Sequence, residues 1–215
     1  AMIAGYIQGL GYTELKIAMN TAMDIDLGTG QLVQDFSVDV TDAFDVDVNI
    51  GMAGITPAYL DWAKTNAIKM YLDRSPEAVA EIQKQMADPN GPMATVGFGR
   101  YALAFDDQGL MDKLEPQLAQ MRPMMLGTNP DGTPKTELTE EDLKLAATQM
   151  SGGMLDPEKL LPVVTAFYNF VMDPDVVKVA VNFNPALTMG EMQSMSAGGS
   201  AGVDWATRVT FEASN

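Results

Sequence analysis

Residues 32–55 read LVQDFSVDVTDAFDVDVNIGMAGI, and their spacing decides the fold. Phe36, Val38 and Val40 alternate with Asp35, Ser37 and Asp39. After Thr41-Asp42-Ala43, a second run begins in which Phe44, Val46, Val48 and Ile50 alternate with Asp45, Asp47 and Asn49. Successive side chains of a strand point to opposite faces, so each run gathers its apolar residues on one side and its acids on the other. The stretch predicts two antiparallel strands, dry on one face and acidic and wet on the other.

The same period extends towards the N-terminus. Leu15, Ile17, Met19, Thr21, Met23 and Ile25 share one parity, and Lys16, Asn20, Asp24 and Asp26 share the other. Leu27-Gly28-Thr29-Gly30 supplies turn chemistry between this strand and the next. Three strands with short links form a meander. Residues 1–12, with a Gly5-xxx-Gly9 spacing, read as an ordered lead-in or a short helix. The opening at Ala1-Met2 falls inside an ongoing pattern and reads as a processed or excised start.

Beyond Ile55 the punctuation becomes helical. Thr56-Pro57 is an N-cap followed by Pro at the first helical position, predicting a helix to Leu72. Ser75-Pro76-Glu77 repeats the signal and predicts a helix to Ala87. A fourth strand is expected over Ala94–Phe105. Val96 and Phe98 have one parity and Tyr101, Leu103 and Phe105 the other, so a bulge at Gly97 or Gly99 is expected to leave Arg100 on the outer face.

Residues 109–125 read as helical, with Pro116 expected to break or kink them. Thr139-Glu140-Glu141-Asp142 resembles a capping box, with Asp in place of the usual Glu or Gln, and opens a helix that stops at Gly152-Gly153. Asp156-Pro157 caps another, kinked at Pro162 or starting later, with Leu160, Val164, Phe167 and Val171 on one stripe. Val177, Val179, Val181 and Phe183 predict a fifth strand ending at Asn184-Pro185. A short helix carrying Met189, Met192 and Met195 leads to the glycine loop Ala197–Gly202. Val203, Trp205, Thr207, Val209 and Phe211 predict the last strand.

The expected class is α+β: one antiparallel sheet of about six strands, begun by a three-stranded meander, with helices packed on its apolar face. Residues 1–215 are read as one domain, with residues 107–173 as a helical insertion. At this length a sizeable core is available.

Composition narrows the function. The net charge is −16, with 13 Lys and Arg against 29 Asp and Glu, which repels nucleic-acid phosphates and anionic lipid headgroups. No apolar run reaches the roughly 18 residues that span a bilayer. There is no Cys, hence no disulfide or thiolate, and no His, hence no proton shuttle near neutral pH and no imidazole ligand.

Chemistry-bearing patterns meet the same limits. Gly198-Gly199-Ser200-Ala201-Gly202 matches the spacing of a nucleophile elbow, but that motif needs a preceding strand, a following helix and a His. It is read as a loop. Asp45-Val46-Asp47-Val48-Asn49-Ile50-Gly51 has its Gly one place too late for a calcium loop and is read as a solvated face. A loosely held cation on Asp35, Asp39, Asp45 and Asp47 is the sharper alternative. Asp106/Asp107, Glu140/Glu141 and Asp173/Asp175 are paired acids of the type that carboxylate-only hydrolases use, yet they sit at turns and helix starts, where acids belong on electrostatic grounds. No cofactor or metal is expected.

Methionine is the unusual residue, 17 in 215. Ten fall on the helical or helix-flanking stretches between Met111 and Met195. Flexible, polarizable side chains of this kind line surfaces that re-pack around apolar guests. Met111, Met121, Met125, Met150, Met154, Phe167, Met172, Met192 and Met195 are the expected ligand contacts, lining a cavity between helices and sheet.

Leu10-Gly11-Tyr12, Asp26-Leu27-Gly28-Thr29-Gly30, Phe105-Asp106-Asp107-Gln108-Gly109-Leu110 and Phe170-Val171-Met172-Asp173-Pro174, set in a long meander, resemble phrases of bacterial envelope proteins in the broad YdgA-like and AsmA-like groups. The resemblance implies a periplasmic or cell-envelope location and carries over no site residue. The expected function is therefore a non-catalytic envelope protein that binds an apolar, lipid-like ligand. The alternative is a structural subunit that self-associates into a homo-oligomer or docks a partner through the same apolar surface. A hydrolase working with carboxylates alone ranks third.

Overall fold

Among the described residues one antiparallel sheet organises the chain, and its strands lie side by side in chain order. They are β1 (Ile17–Asp26), β2 (Gln31–Val40), β3 (Phe44–Ala53), β4 (Gly97–Asp107), β5 (Val176–Thr188) and β6 (Val209–Ser214). The computed structural model describes residues 9–86, 88, 90–129, 131–152, 155–196 and 205–215, with the side chains of 193–196 excepted.

The register sorts the two faces. One cross-strand row runs Thr21, Phe36, Val48, Leu103, Val179, Ala213, and the next runs Met23, Gln34, Ile50, Tyr101, Val181, Phe211. These are dry-face residues. The opposite face carries Asn20, Ser37, Asp47, Ala104, Lys178, Ser214 and, beside them, Ala22, Asp35, Asn49, Ala102, Ala180, Glu212. The alternation at 35–50 predicted this separation, and the meander β1-β2-β3 has the expected boundaries to within three residues.

Two local devices hold the register. Asp26 closes the β1–β2 turn by accepting from the amides of Gly28 at 2.8 Å and Thr29 at 3.3 Å, and from the Thr29 hydroxyl. In β4 the pairing slips at Gly99: Met52 faces Phe98, but Gly51 faces Arg100. The extra residue returns Phe98 to the dry face together with Tyr101, Leu103 and Phe105, and sets Arg100 on the wet one. Gly97 is obligatory for a different reason. A Cβ there would stand 2.9 Å from the Leu187 carbonyl oxygen.

Seven helices occupy the connections among the described residues. α1 (Pro57–Leu72) starts at Thr56, whose hydroxyl accepts from the Tyr59 amide at 3.1 Å. It pairs with α2 (Pro76–Met86) through Trp62 Nε1 donating to Gln85 Oε1 at 2.9 Å. Between β4 and β5 come α3 (Leu110–Leu126), α4 (Glu140–Ser151) and α5 (Pro157–Met172). The capping box of α4 is complete, with Thr139 and Asp142 bonding each other's backbone amides. α6 (Met189–Ser196) follows β5, and α7 (Trp205–Arg208) is a single turn before β6.

The helices roof the dry face at three places. Leu110 joins Tyr12, Leu15, Val38, Val40, Ala43 and Phe44 at one end of the strands. Tyr59 and Leu60 cover Ile25, Leu32, Met52, Ile55 and Val96 at the other. Along the β5–β6 side, α5 lays Ala166 and Phe170 on Phe105, Val177, Val179 and Ala213, and α4 adds Leu143 and Ala147 against Leu160 and Val164.

Four expectations need correction. β5 does not end at Asn184-Pro185. After Asn182 pairs with Arg100, the strand makes an excursion over 183–186 and pairs again at Leu187 with Phe98. β6 begins at Val209, because Trp205–Arg208 wind into a turn whose exposure pattern does not alternate. α3 runs through both Pro116 and Pro123. Both prolines sit on its exposed side, where water can take the carbonyls they leave unpaired. The buried stripe of α5 is Leu160, Val163, Val164, Ala166 and Phe170, so Phe167 points outward.

Candidate functional site

The three roofed zones frame an opening over β1–β4. Within it Met19 is 65% exposed, Met23 59%, Tyr101 45% and Phe36 38%, although all four lie on the dry face. Val46, Val48, Ile50 and Leu103 form the half-buried floor between them. Four strands at about 4.8 Å spacing make this window roughly 14 Å wide. Thr21 and Gln34 are the polar members of this face, and the apolar surface around them is rimmed by packed clusters; open apolar surface of this kind is uncommon on a protein that works alone in water.

The wet face is concave. It holds a trough of about 760 Å³. It is lined by the small side chains of Ala22, Ala102, Ala104 and Ala180, by Asp35 and Asp47 on β2 and β3, and by Arg100, Lys178 and Glu212 on β4, β5 and β6. The polar groups largely satisfy one another. Asn49 donates to Asp35 at 2.7 Å, Arg100 to Asn182 Oδ1 at 2.8 Å, and Asn182 to Glu212 at 3.2 Å. Further along this face Asp39, Asp45 and Asp106 stand directly opposite one another. Partial burial, and after it the charges of Asp39, Asp106 and Asp47, hold the Asp45 carboxyl above its usual range. Among the described residues no three acids converge as a metal-holding group.

The expected ligand contacts are dispersed. Met111 is half-buried against the cluster of Ala166, Phe170 and Val177. Met172 and Met192 are half-buried, while Met121, Met125, Met150 and Phe167 are exposed on α3, α4 and α5. Met154 and the side chain of Met195 lie outside the described residues, as does the Gly198–Gly202 motif. Met111 therefore borders the dry face, and the exposed members point away from the packed clusters.

The paired acids have local roles. Asp107 accepts from the Met111 backbone amide at the start of α3, Asp106 from Gln108 Nε2, and Glu140 bridges Lys144 at 2.8 Å. Sequence parity had assigned Met19, Met23, Phe36 and Tyr101 to the dry face without marking them as contacts. The missed signal for the trough was Tyr101-Ala102-Leu103-Ala104-Phe105, in which every wet-face position is an alanine. Among the described residues no helix is long and apolar enough to cross a membrane.

A protein-family model described as "Uncharacterized protein" matches residues 37–213. No curated protein and no solved structure matches the chain.

Proposed function

The chain belongs to the family matched over residues 37–213, and since that description assigns no activity, we propose on geometric grounds that it is a non-catalytic binding protein for an apolar, lipid-like ligand. The observation that carries the reading is the framed opening on the dry face, where Met19, Met23, Phe36 and Tyr101 meet solvent above Val48, Ile50 and Leu103. An acyl chain laid across it would remove this surface from water at about 25 cal/mol per Å². Methionine at the β1 side lets the surface re-pack around chains of different shape. The ligand site is thus the open sheet face bordered by Met111 rather than an enclosed chamber of helix methionines. A cell-envelope location rests on the phrases that resemble envelope proteins.

Native mass spectrometry of gently purified protein tests the proposal, together with melting in the presence of fatty acids and phospholipids. The expected result is a lipid-mass adduct and a Tm rise of about 5–10 °C at saturating ligand. Phe36→Lys, at a position already open to solvent, should abolish both. Absence of any adduct and any shift, or full binding by Phe36→Lys, would overturn it. A second reading, docking of a partner protein, is favoured by the exposed group Met121, Met124 and Met125 on α3.

A further inference from the structure

The two edges of the sheet are unequal. β6 is a six-residue strand packed against α5, and the chain end beside it is tied down by Asn215 donating to the Ala166 carbonyl at 3.0 Å. β1 is a ten-residue strand with nearly every side chain exposed, and among the described residues it pairs with β2 alone. Edge strands are normally blunted by proline, bulges or inward charges. From Ile17 to Met23, β1 carries none of these.

The ladder fixes which backbone groups are unpaired. The Thr41 amide donates to the Lys16 carbonyl at 3.0 Å, within the same register that pairs Ile17 with Val40. Bonded pairs alternate along an antiparallel ladder, so even-numbered residues turn their amides and carbonyls to β2. Ile17, Met19, Thr21, Met23 and Ile25 turn theirs to the free edge.

We propose that β1 pairs antiparallel with β1 of a second copy of this chain, about a two-fold axis at Thr21, joining the two sheets into one. This register sets every outward residue opposite another outward residue, for about ten main-chain hydrogen bonds. It places Lys16 opposite Asp26 of the second copy, twice by symmetry, and Asp24 opposite Ala18. No like charges meet, whereas a parallel pairing would bring Asp24 and Asp26 against their own counterparts. Lys16 is available for this: its neighbour Glu14, at 3.4 Å, is a highly exposed and therefore weak partner. On the dry face Met19 comes to lie against Met23 of the second copy, so the two apolar windows merge.

Light scattering and analytical ultracentrifugation over a wide concentration range provide the test, on the full chain. The expected result is a reversible dimer of twice the 23.1 kDa chain mass. Thr21→Pro removes an amide that points to the free edge, so it should give a monomer that keeps the sheet's circular dichroism. Lys16→Asp should weaken the dimer about tenfold at low salt. A strict monomer at every concentration overturns the proposal, and so does a dimer or larger species indifferent to Thr21→Pro. A monomer whose odd-numbered β1 amides resist hydrogen exchange overturns it in favour of an occupant from the same chain.

Discussion

Arg122 grips Glu115 with both terminal nitrogens, at 2.6 and 2.8 Å, while its Nε donates to the Val171 carbonyl at 3.1 Å. One guanidinium therefore ties two turns of α3 to the last turn of α5, where carbonyls lack helical partners and a cation is favoured. Arg122→Ala should destabilise the fold by about 1–3 kcal/mol. Arg122→Lys should recover less than half of that, because an ammonium cannot serve both partners in this geometry. Urea unfolding of the two variants checks the order.

The acids facing one another on the wet face predict a substitution that stabilises. Asp39 lies opposite Asp45, whose carboxyl is held above its usual range by partial burial and by Asp39, Asp106 and Asp47. Asp39→Asn removes one of those charges without changing shape. Tm at pH 7 should rise by about 1–3 °C, and more in low salt than in high salt. A fall in Tm would show that the carboxylate is required for something else.

Acid should act on two groups with opposite sign. Asp45 titrates higher in the folded chain than in the unfolded one, so lowering the pH from neutral first relieves its repulsion and raises stability. Asp142 is held down at about 2, first by its hydrogen bond with Lys135 and then by the Thr139 amide and hydroxyl. Its contribution is complete above the unfolded value near pH 4 and is lost as the pH falls through about 2. Asp142→Asn should remove part of the stability loss between about pH 4 and pH 2, leaving the higher-pH limb unchanged. Thermal melts across pH 2–7 separate the two groups.

Gly97 offers a steric check on the sheet. A methyl group there would press on the Leu187 carbonyl oxygen at 2.9 Å and on Thr188 Cα at 3.0 Å, both backbone atoms that cannot rotate aside. Gly97→Ala should cost about 1–3 kcal/mol, and hydrogen exchange should quicken where β4 meets the far end of β5. Gly99→Ala, with nothing nearer than 3.7 Å, should cost much less.

Much of the architecture was legible because one face of the sheet is dry. Where apolar and acidic residues must separate, as from Asp35 to Ile50, period two is enforced and visible. Caps were equally plain at Thr56 and Thr139, since each answers a local demand of unpaired amides. Trp205–Arg208 defeated the reading because four residues cannot distinguish a helical turn from alternation. Phe167 and Phe170 are three apart on one helix, and only the position of the sheet decides which is buried. The apolar window was hidden for the same reason. Parity assigns Met23 and Tyr101 to a face, but whether a helix covers them depends on where distant connections land.

The slip at Gly99 lets β4 carry two phases of one code. Upstream, even-numbered Phe98 faces the oily side; downstream, odd-numbered Tyr101, Leu103 and Phe105 do. Shortening the strand by that one glycine would bring the phases into conflict. Either the aromatic set would rotate into the alanine-lined hollow, or Phe98 would leave its place beside Met52 and Leu187. One extra residue thus acts as the frame-keeper that lets a single strand serve an oily surface along its whole length.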